Sequence, residues 1–257
     1  MAKFPGDLES QYALQFSKVI KNINREYMKV LRQLLAEDEG FQRVNGLTSH
    51  RYNAFEFRKF KKKLLKLRVK LAKSLIFRNI FESMEGVFAR VETTVKKGIL
   101  KSFDDSSFPL PELALNAPSE ALKESVERNV ELIGAIADKH TQDLEDAVMA
   151  AVTGGANFDT VVEEVQKQSD RGLAYAEFVA KDQVAKVYAD INKEKQQATG
   201  FDYYEWSATE DERTRPTHAA QDGKVFSWKK APLVGGRNLH PGEDYNCRCI
   251  AIPRLAA

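Results

Sequence analysis

The chain has 257 residues, with 39 Lys/Arg against 37 Asp/Glu, a net charge of +2, and 43% hydrophobic and 30% charged residues. That much apolar residue can bury a core and excludes global disorder, and the length suits one or two domains. Two cysteines only one residue apart, Cys247 and Cys249, exclude a disulfide scaffold and point to synthesis in a reducing compartment.

The opening MAKFPGDLESQYALQF has neither the basic start nor the continuous apolar block of a secretory signal, so the protein is expected to start cytoplasmic. Nothing approaches the roughly 18 uninterrupted apolar residues of a membrane-spanning helix. Residues 8–37 are predicted helical, because Leu8, Tyr12, Phe16, Val19, Ile23, Tyr27, Val30, Leu31 and Leu34 recur at three- and four-residue steps. Gly40 ends that helix, and Asn45-Gly46 marks a turn.

A second helix is expected from near Ser49, with Phe57, Phe60, Leu64, Leu67 and Leu71 on its apolar face. Its polar face is basic: residues 51–81 hold eleven Lys/Arg against one acid, Glu56. The stretch 104–118, with Pro109, Pro111 and Pro118, reads as a linker or extended crossover. A third long helix is predicted from Ser119 to about Val152, ended by Gly154 and Gly155. Two more are predicted, from Asp159 to about Gln168 and from Leu173 to about Gln197, with Ala174, Phe178, Ala185, Tyr188 and Ile191 near one stripe of the second.

After Gly200 the character changes: FDYYEWSA, KVFSW and RCIAI read as three short strands, separated by loops rich in Gly, Pro and Asn. The expected fold is therefore mainly α, an elongated helical body followed by a small α+β module. The expected divisions are 1–103 (helical, with the basic helix), 104–118 (linker), 119–200 (helical) and 201–257 (the module).

The net charge of +2 hides two opposed blocks, since residues 104–169 carry fourteen acids against four Lys/Arg. Uniformly positive side chains on one helix face cannot be satisfied by pairing along the helix. Arg58, Lys59, Lys61, Lys62, Lys63, Lys66, Lys70 and Lys73 are accordingly candidates for binding DNA or another polyanion. The alternatives are docking on an acidic protein surface such as 104–169, a solvated face, or a membrane surface. His50 and His140, beside charged helical stretches, are expected at the surface.

The densest signal is the string from Trp206 to Gly223, WSATEDERTRPTHAAQDG, followed by NCRC after a Pro/Gly-rich loop. The ordered set Trp206, Asp211, Arg213, Thr214, Arg215, Pro216, His218, Asp222, Gly223, Cys247, Arg248 and Cys249 resembles the phage head-morphogenesis domain family, the group similar to the F protein of phage Mu. The resemblance covers roughly residues 172–253. It implies a minor head protein of a tailed phage or prophage, resident in the virion in multiple copies at the capsid interior or portal vertex. Its implied partners are the portal protein, the major capsid or scaffold protein and, in some members, double-stranded DNA.

The residues themselves allow several readings. Asp211 or Thr214 can cap a helix begun by Pro216, and Arg213 or Arg215 can pair with Glu210 or Asp222. His218, His240, Cys247 and Cys249 together supply two imidazoles and two thiolates, a set that suits structural zinc, provided the chain bends enough for Cys-X-Cys to converge. The alternative is plain packing: buried small thiols and a turn histidine. Glu210, Asp211, His218 and Asp222 can be drawn as an acid/base cluster, but no phosphate loop, HExxH or nucleophile elbow accompanies them. The expectation is a non-enzymatic protein, with a nuclease or other metal-dependent hydrolase as the alternative.

Overall fold

The computed structural model describes residues 6–37, 58, 61–67, 69, 76–102, 109–154, 156, 158–209 and 211–255. The long helices are α1 (Gly6–Glu37), α2 (Ile76–Ser102), α4 (Glu120–Thr153) and α5 (Phe158–Ala198), with a short α3 (Glu112–Asn116) before α4. The carboxyl module contains β1 (Tyr203–Ser207), α6 (Pro216–Ala219), β2 (Val225–Ser227), β3 (Leu233–Val234), β4 (Arg237–Asn238) and β5 (Ile250–Arg254). The expected class, mainly α with a small carboxyl-terminal α+β module, is what the chain adopts. Among the described residues no helix is long and apolar enough to cross a membrane.

The chain forms two compact units, one from the described residues of 1–13, 81–129 and 178–257, the other from those of 14–80 and 130–177. In the second unit Phe16, Val19, Ile23, Tyr27, Leu31, Leu34 and Leu35 of α1 are buried and Val30 is half-buried; Ile133, Leu144 and Val148 of α4 and Val161, Val165 and Ala176 of α5 are buried too. Residues 61–67 are helical, with Leu64 and Leu67 buried and Leu65 exposed. The rest of the expected basic helix lies largely outside the described residues.

Three local expectations are corrected. The stretch 104–118 is not wholly extended, because Glu112–Asn116 forms a turn and a half of helix that buries Leu115. The two helices expected either side of Gly172 are one, running from Phe158 to Ala198. Gly172 is there for packing: a Cβ added to it would lie 2.3 Å from the His140 ring. Along this helix Val161, Val165, Ser169, Ala176, Ala180, Val184, Val187 and Ile191 are buried. Of the expected stripe Ala185, Tyr188 and Ile191 are buried, whereas Phe178 is 52% exposed and Ala174 is exposed too.

His140 is likewise not a surface residue: it is buried, and its Nε2 donates to Asn24 Oδ1 at 2.6 Å. Burial pulls its pKa down to about 4. His50 lies outside the described residues.

In the first unit α5 organises its neighbours through polar side chains. Glu194 accepts hydrogen bonds from Ser119 Oγ at 2.7 Å and from the Ala121 amide at 2.8 Å, and Ser119 Oγ accepts from the Leu122 amide at 3.1 Å. Those orphan amides at the start of α4 are thereby satisfied. Lys195, 1% exposed, meets Glu92 of α2 at 3.1 Å and donates to the Ala117 carbonyl. Burial works to raise the Glu92 pKa, but the Lys96 and Lys195 ammonium groups win and hold it below the usual range.

The three-stranded antiparallel sheet has the order β2-β1-β5, with Tyr204 opposite Phe226 and Pro253, and Trp206 opposite Ala251. Pro253 is tolerated because β5 is an edge strand. Alternation along β1 buries Tyr204 and Trp206 on one face, where Trp228, Val234, Cys247, Cys249 and Ala251 complete the cluster. The expected loop 231–246 also holds a small hairpin, β3–β4, closed by Gly235 and Gly236 at φ +56° and +82°. A two-residue hairpin turn of that kind needs positive φ at both positions.

Helix α5 holds this sheet from beneath. The side-chain amides of Asn192 and Gln196 both donate to the Ala251 carbonyl at 2.8 Å, and Gln196 Oε1 accepts from the Trp228 indole at 3.1 Å.

Candidate metal centre

His218 is carried on α6, whose first residue is Pro216; the preset φ of proline suits the first helical turn. The helix start is Arg215 with no side-chain cap, so the expected cap by Asp211 or Thr214 is not made there. Asp211 works one turn earlier, accepting from the Arg213 amide at 3.1 Å and pairing with Arg248. The Arg248 guanidinium holds the Asp211 carboxyl below its ordinary pKa. Thr214 donates to the Thr209 carbonyl, and Thr209 Oγ1 donates to the Arg248 carbonyl at 2.7 Å.

The expected partners of the arginines change accordingly. Arg213 lies 3.5 Å from Asp211, while Arg215 donates to the Tyr245 carbonyl at 2.7 Å and lies 3.5 Å from Asp244. Asp222 accepts from the Ala208 amide at 2.7 Å, and the Gly223 amide donates to the Trp206 carbonyl at 2.8 Å, tying the end of the motif to β1. Glu210 lies outside the described residues.

The bend that Cys-X-Cys requires is built at Asn246, which adopts φ +49°. Asparagine tolerates this left-handed conformation better than most residues. Two contacts fix the bend: the Asn246 amide donates to Asp182 Oδ1 of α5 at 2.8 Å, and the Cys247 amide to the Asp244 carbonyl at 3.2 Å. Just upstream, Gly242 passes so close to α5 that a Cβ there would lie 2.6 Å from Ala189 Cβ.

As a result His218, Cys247 and Cys249, all buried, bring their donor atoms within 4.8 Å of one another. His218 Nδ1 lies 3.4 Å from Cys247 Sγ and 3.6 Å from Cys249 Sγ. Tetrahedral zinc, with Zn–N of about 2.0–2.1 Å and Zn–S of about 2.3 Å, requires N···S separations of roughly 3.5 Å. The two observed separations bracket that value, so this donor set fits zinc.

The other imidazole nitrogen is also committed. His218 Nε2 lies 3.1 Å from Asp244 Oδ2, and an ionised carboxylate only accepts, which places the proton on Nε2 and leaves the Nδ1 lone pair facing the sulfurs. Burial works to raise the Asp244 pKa, yet the Tyr245 amide, Arg237, Arg215 and His218 hold it below the usual range. The two thiols share a hydrogen bond that pulls Cys247 down to about 6 and, with burial, pushes Cys249 up. The pair releases one proton readily and holds the second, which a bound metal would displace.

His240 does not join this cluster. Its Nδ1 meets the Tyr204 hydroxyl at 2.8 Å and its ring centre lies 5.0 Å from that of Trp228, so it completes the aromatic core. The expected four-donor set thus loses its second imidazole to packing. Asp211 and Asp222 do not gather with His218 either, being held by Arg248 and by the Ala208 amide. Asp182 and Asp244, which hold the cysteine loop and the histidine, escaped the sequence reading. Asp244 stands three residues before Cys247, which is the one local sign it gives.

Of the candidate polyanion-binding residues, Arg58, Lys61, Lys62, Lys63 and Lys66 are exposed. Lys59, Lys70 and Lys73 lie outside the described residues.

Residues 142–252 match the family described as Phage Mu protein F like protein. An uncharacterized protein of Haemophilus influenzae (strain ATCC 51907 / DSM 11121 / KW20 / Rd) is 33% identical over 127 residues, 49% of this chain. The match spans 28% of that relative's length. No solved structure matches the chain. The matched segment begins within α4 and ends in β5, taking in both cysteines, His218 and the helix that holds them. Residues 142–252 are thus similar to the Phage Mu protein F like family, a head-morphogenesis-like group of phage proteins.

Proposed function

We propose that the protein is a non-enzymatic minor head component of a tailed phage or prophage, present in several copies inside the virion and docked on the portal, major capsid or scaffold protein. One observation carries the reading: the family's motif residues are spent on holding the module together. Asp211 holds Arg248, Arg215 holds the Tyr245 carbonyl, Asp222 holds the Ala208 amide just past β1, and His218 is shared between Asp244 and the cysteines. The cavity among them, about 20 Å³, is far below the roughly 300 Å³ at which small-molecule sites begin. A knot of this kind builds a rigid docking module. Locating the protein's density in intact particles tests it: the expected place is the portal vertex or inner capsid wall, and particles that lack the protein refute the proposal.

Within that role the exposed cations of 58–66 face packaged DNA, and reversing Lys61, Lys62, Lys63 and Lys66 to Glu should abolish salt-sensitive retention on double-stranded DNA. Unaltered retention would place DNA contact elsewhere. The three-donor cluster favours one second reading, a metal-dependent nuclease. Its signature would be nicking of plasmid by the purified protein with Mg²⁺ or Zn²⁺, lost in His218→Ala; folded protein without nicking removes it.

A further inference from the structure

Three donors leave a tetrahedral ion one ligand short, and the surroundings of the cluster show which side is open. His218, Cys247 and Cys249 share a small cavity with Arg213, Arg215, Arg248, Thr209, Thr214 and Asn246. Its volume of about 20 Å³ exceeds the roughly 10–15 Å³ needed for one water and accommodates little more. Among the described residues no fourth His, Cys, Asp or Glu donor joins the three.

We propose that the site is a zinc centre with three protein ligands, His218 Nδ1 and the Cys247 and Cys249 thiolates, whose fourth position is open to solvent and takes one exchangeable small anionic ligand, hydroxide or an anion of similar size. The donor atoms are spaced for tetrahedral coordination, as shown above. The two thiolates cancel the double charge of the ion, so the metal alone gives the fourth ligand no net electrostatic pull. The lining supplies one. Among the described residues four guanidiniums, of Arg213, Arg215 and Arg248 in the lining and of Arg237, which also pairs with Asp244, meet two carboxylates, Asp211 and Asp244, in the ion pairs around the cluster. Glu9 of α1 also feels Arg248 and Arg213, so that three carboxylates stand against the four guanidiniums. An anion therefore neutralises a cationic lining, whereas a neutral ligand does not. Structural zinc sites are closed by four protein ligands, and sites that keep three hold an exchangeable ligand. This centre is of the second kind, inside a module whose residues otherwise serve packing.

The full chain, reduced and loaded with cobalt(II) in place of zinc, tests this directly. Thiolate-to-cobalt charge-transfer bands and strong visible bands of tetrahedral cobalt should appear at one equivalent and be lost in Cys249→Ser. Titration with fluoride, an anion of hydroxide size, should shift the visible bands saturably while the charge-transfer bands persist. Arg213→Gln combined with Arg215→Gln should keep the cobalt spectrum and weaken fluoride binding about ten-fold, the loss expected for removing charge-assisted contacts. Glu210→Gln should leave both unchanged. The proposal is overturned by failure to bind cobalt stoichiometrically, by visible bands indifferent to fluoride, or by a Glu210→Gln spectrum that differs from the parent. The fluoride titration uses the unmutated chain, so its result holds even if Cys249→Ser fails to fold.

Discussion

The helical unit built from 14–80 and 130–177 and the module at 201–255 solve the same problem by opposite means. The first relies on repetition: long helices present buried aliphatic and aromatic residues every third or fourth position, and almost any one contact is backed by several others. The module has five short strands, a four-residue helix and a core of seven buried residues, two of them cysteines. It is held by side chains bonded to backbone groups; the Ala251 carbonyl receives two of them, while the Thr209–Arg248, Arg215–Tyr245 and Asp182–Asn246 bonds are single. A core that small cannot hold a fold alone, so polar clamps and a buried His–Cys–Cys cluster stand where helical packing is absent.

That contrast can be broken in several places. The largest effect is expected for Trp206→Ala, which removes the largest fully buried side chain of the module and should cost about 3–5 kcal/mol. Urea unfolding followed by the remaining tryptophan, Trp228, should show the module lost first, whereas a fully cooperative loss of both units would erase the distinction.

The helical unit should be the acid-sensitive one. His140 is buried neutral, with a folded pKa of about 4 against an ordinary value of 6.5. The unfolded chain therefore binds the extra proton between those values. The stability this burial contributes is complete above the unfolded value and is lost as pH falls toward the folded one. Going from pH 7 to pH 5 should cost about 2 kcal/mol through this residue. His140→Gln should flatten the dependence; an unchanged slope would assign the acid sensitivity to other groups.

Gln196→Ala removes a donor to Ala251 and the acceptor for Trp228 in one step, leaving a buried indole N–H unpaired. A loss of about 1–3 kcal/mol is expected, read as a shift of the urea midpoint for Trp228 fluorescence. If Asn192 alone sufficed to hold Ala251 and the indole went unpenalised, the shift would be near zero and the polar clamp would fail as a description.

The smallest test concerns Gly172. Alanine in a helix interior ordinarily stabilises by about 1 kcal/mol over glycine. Here the added methyl meets the His140 ring, and Gly172→Ala should instead destabilise by about 1–2 kcal/mol. Combining it with His140→Ala should restore the ordinary sign, which a double-mutant cycle measures.

The same contrast governs what could be read beforehand. Helical repetition is written in sequence, so α1, α4 and most of α5 lie near their expected places. Gly172 misled because a glycine that makes room for a ring looks the same as one that ends a helix. In the module the three strands and the His218–Cys247–Cys249 set were legible from alternation and from donor chemistry. The exclusion of His240 was not, since nothing local distinguishes a histidine that stacks on Trp228 from one that ligates. Asp182 could not be found at all: it lies 64 residues from the Asn246 amide it fixes, and nothing in its local sequence marks the contact.

The tether between Asp182 and Asn246 bears on how this protein can vary. Connecting segments usually accept inserted or deleted residues because their backbone answers to nothing but its two ends. The stretch from Leu239 to Cys249 looks like such a segment, yet Gly242 abuts Ala189, Asp244 carries His218, Asn246 is pinned to Asp182, and the cysteines must arrive in step with β5. Its length is counted residue by residue. A one-residue insertion there, harmless in most loops of this size, would throw the cysteines out of phase with the histidine, and related chains that keep the cluster should keep this spacing while differing freely in the residues between.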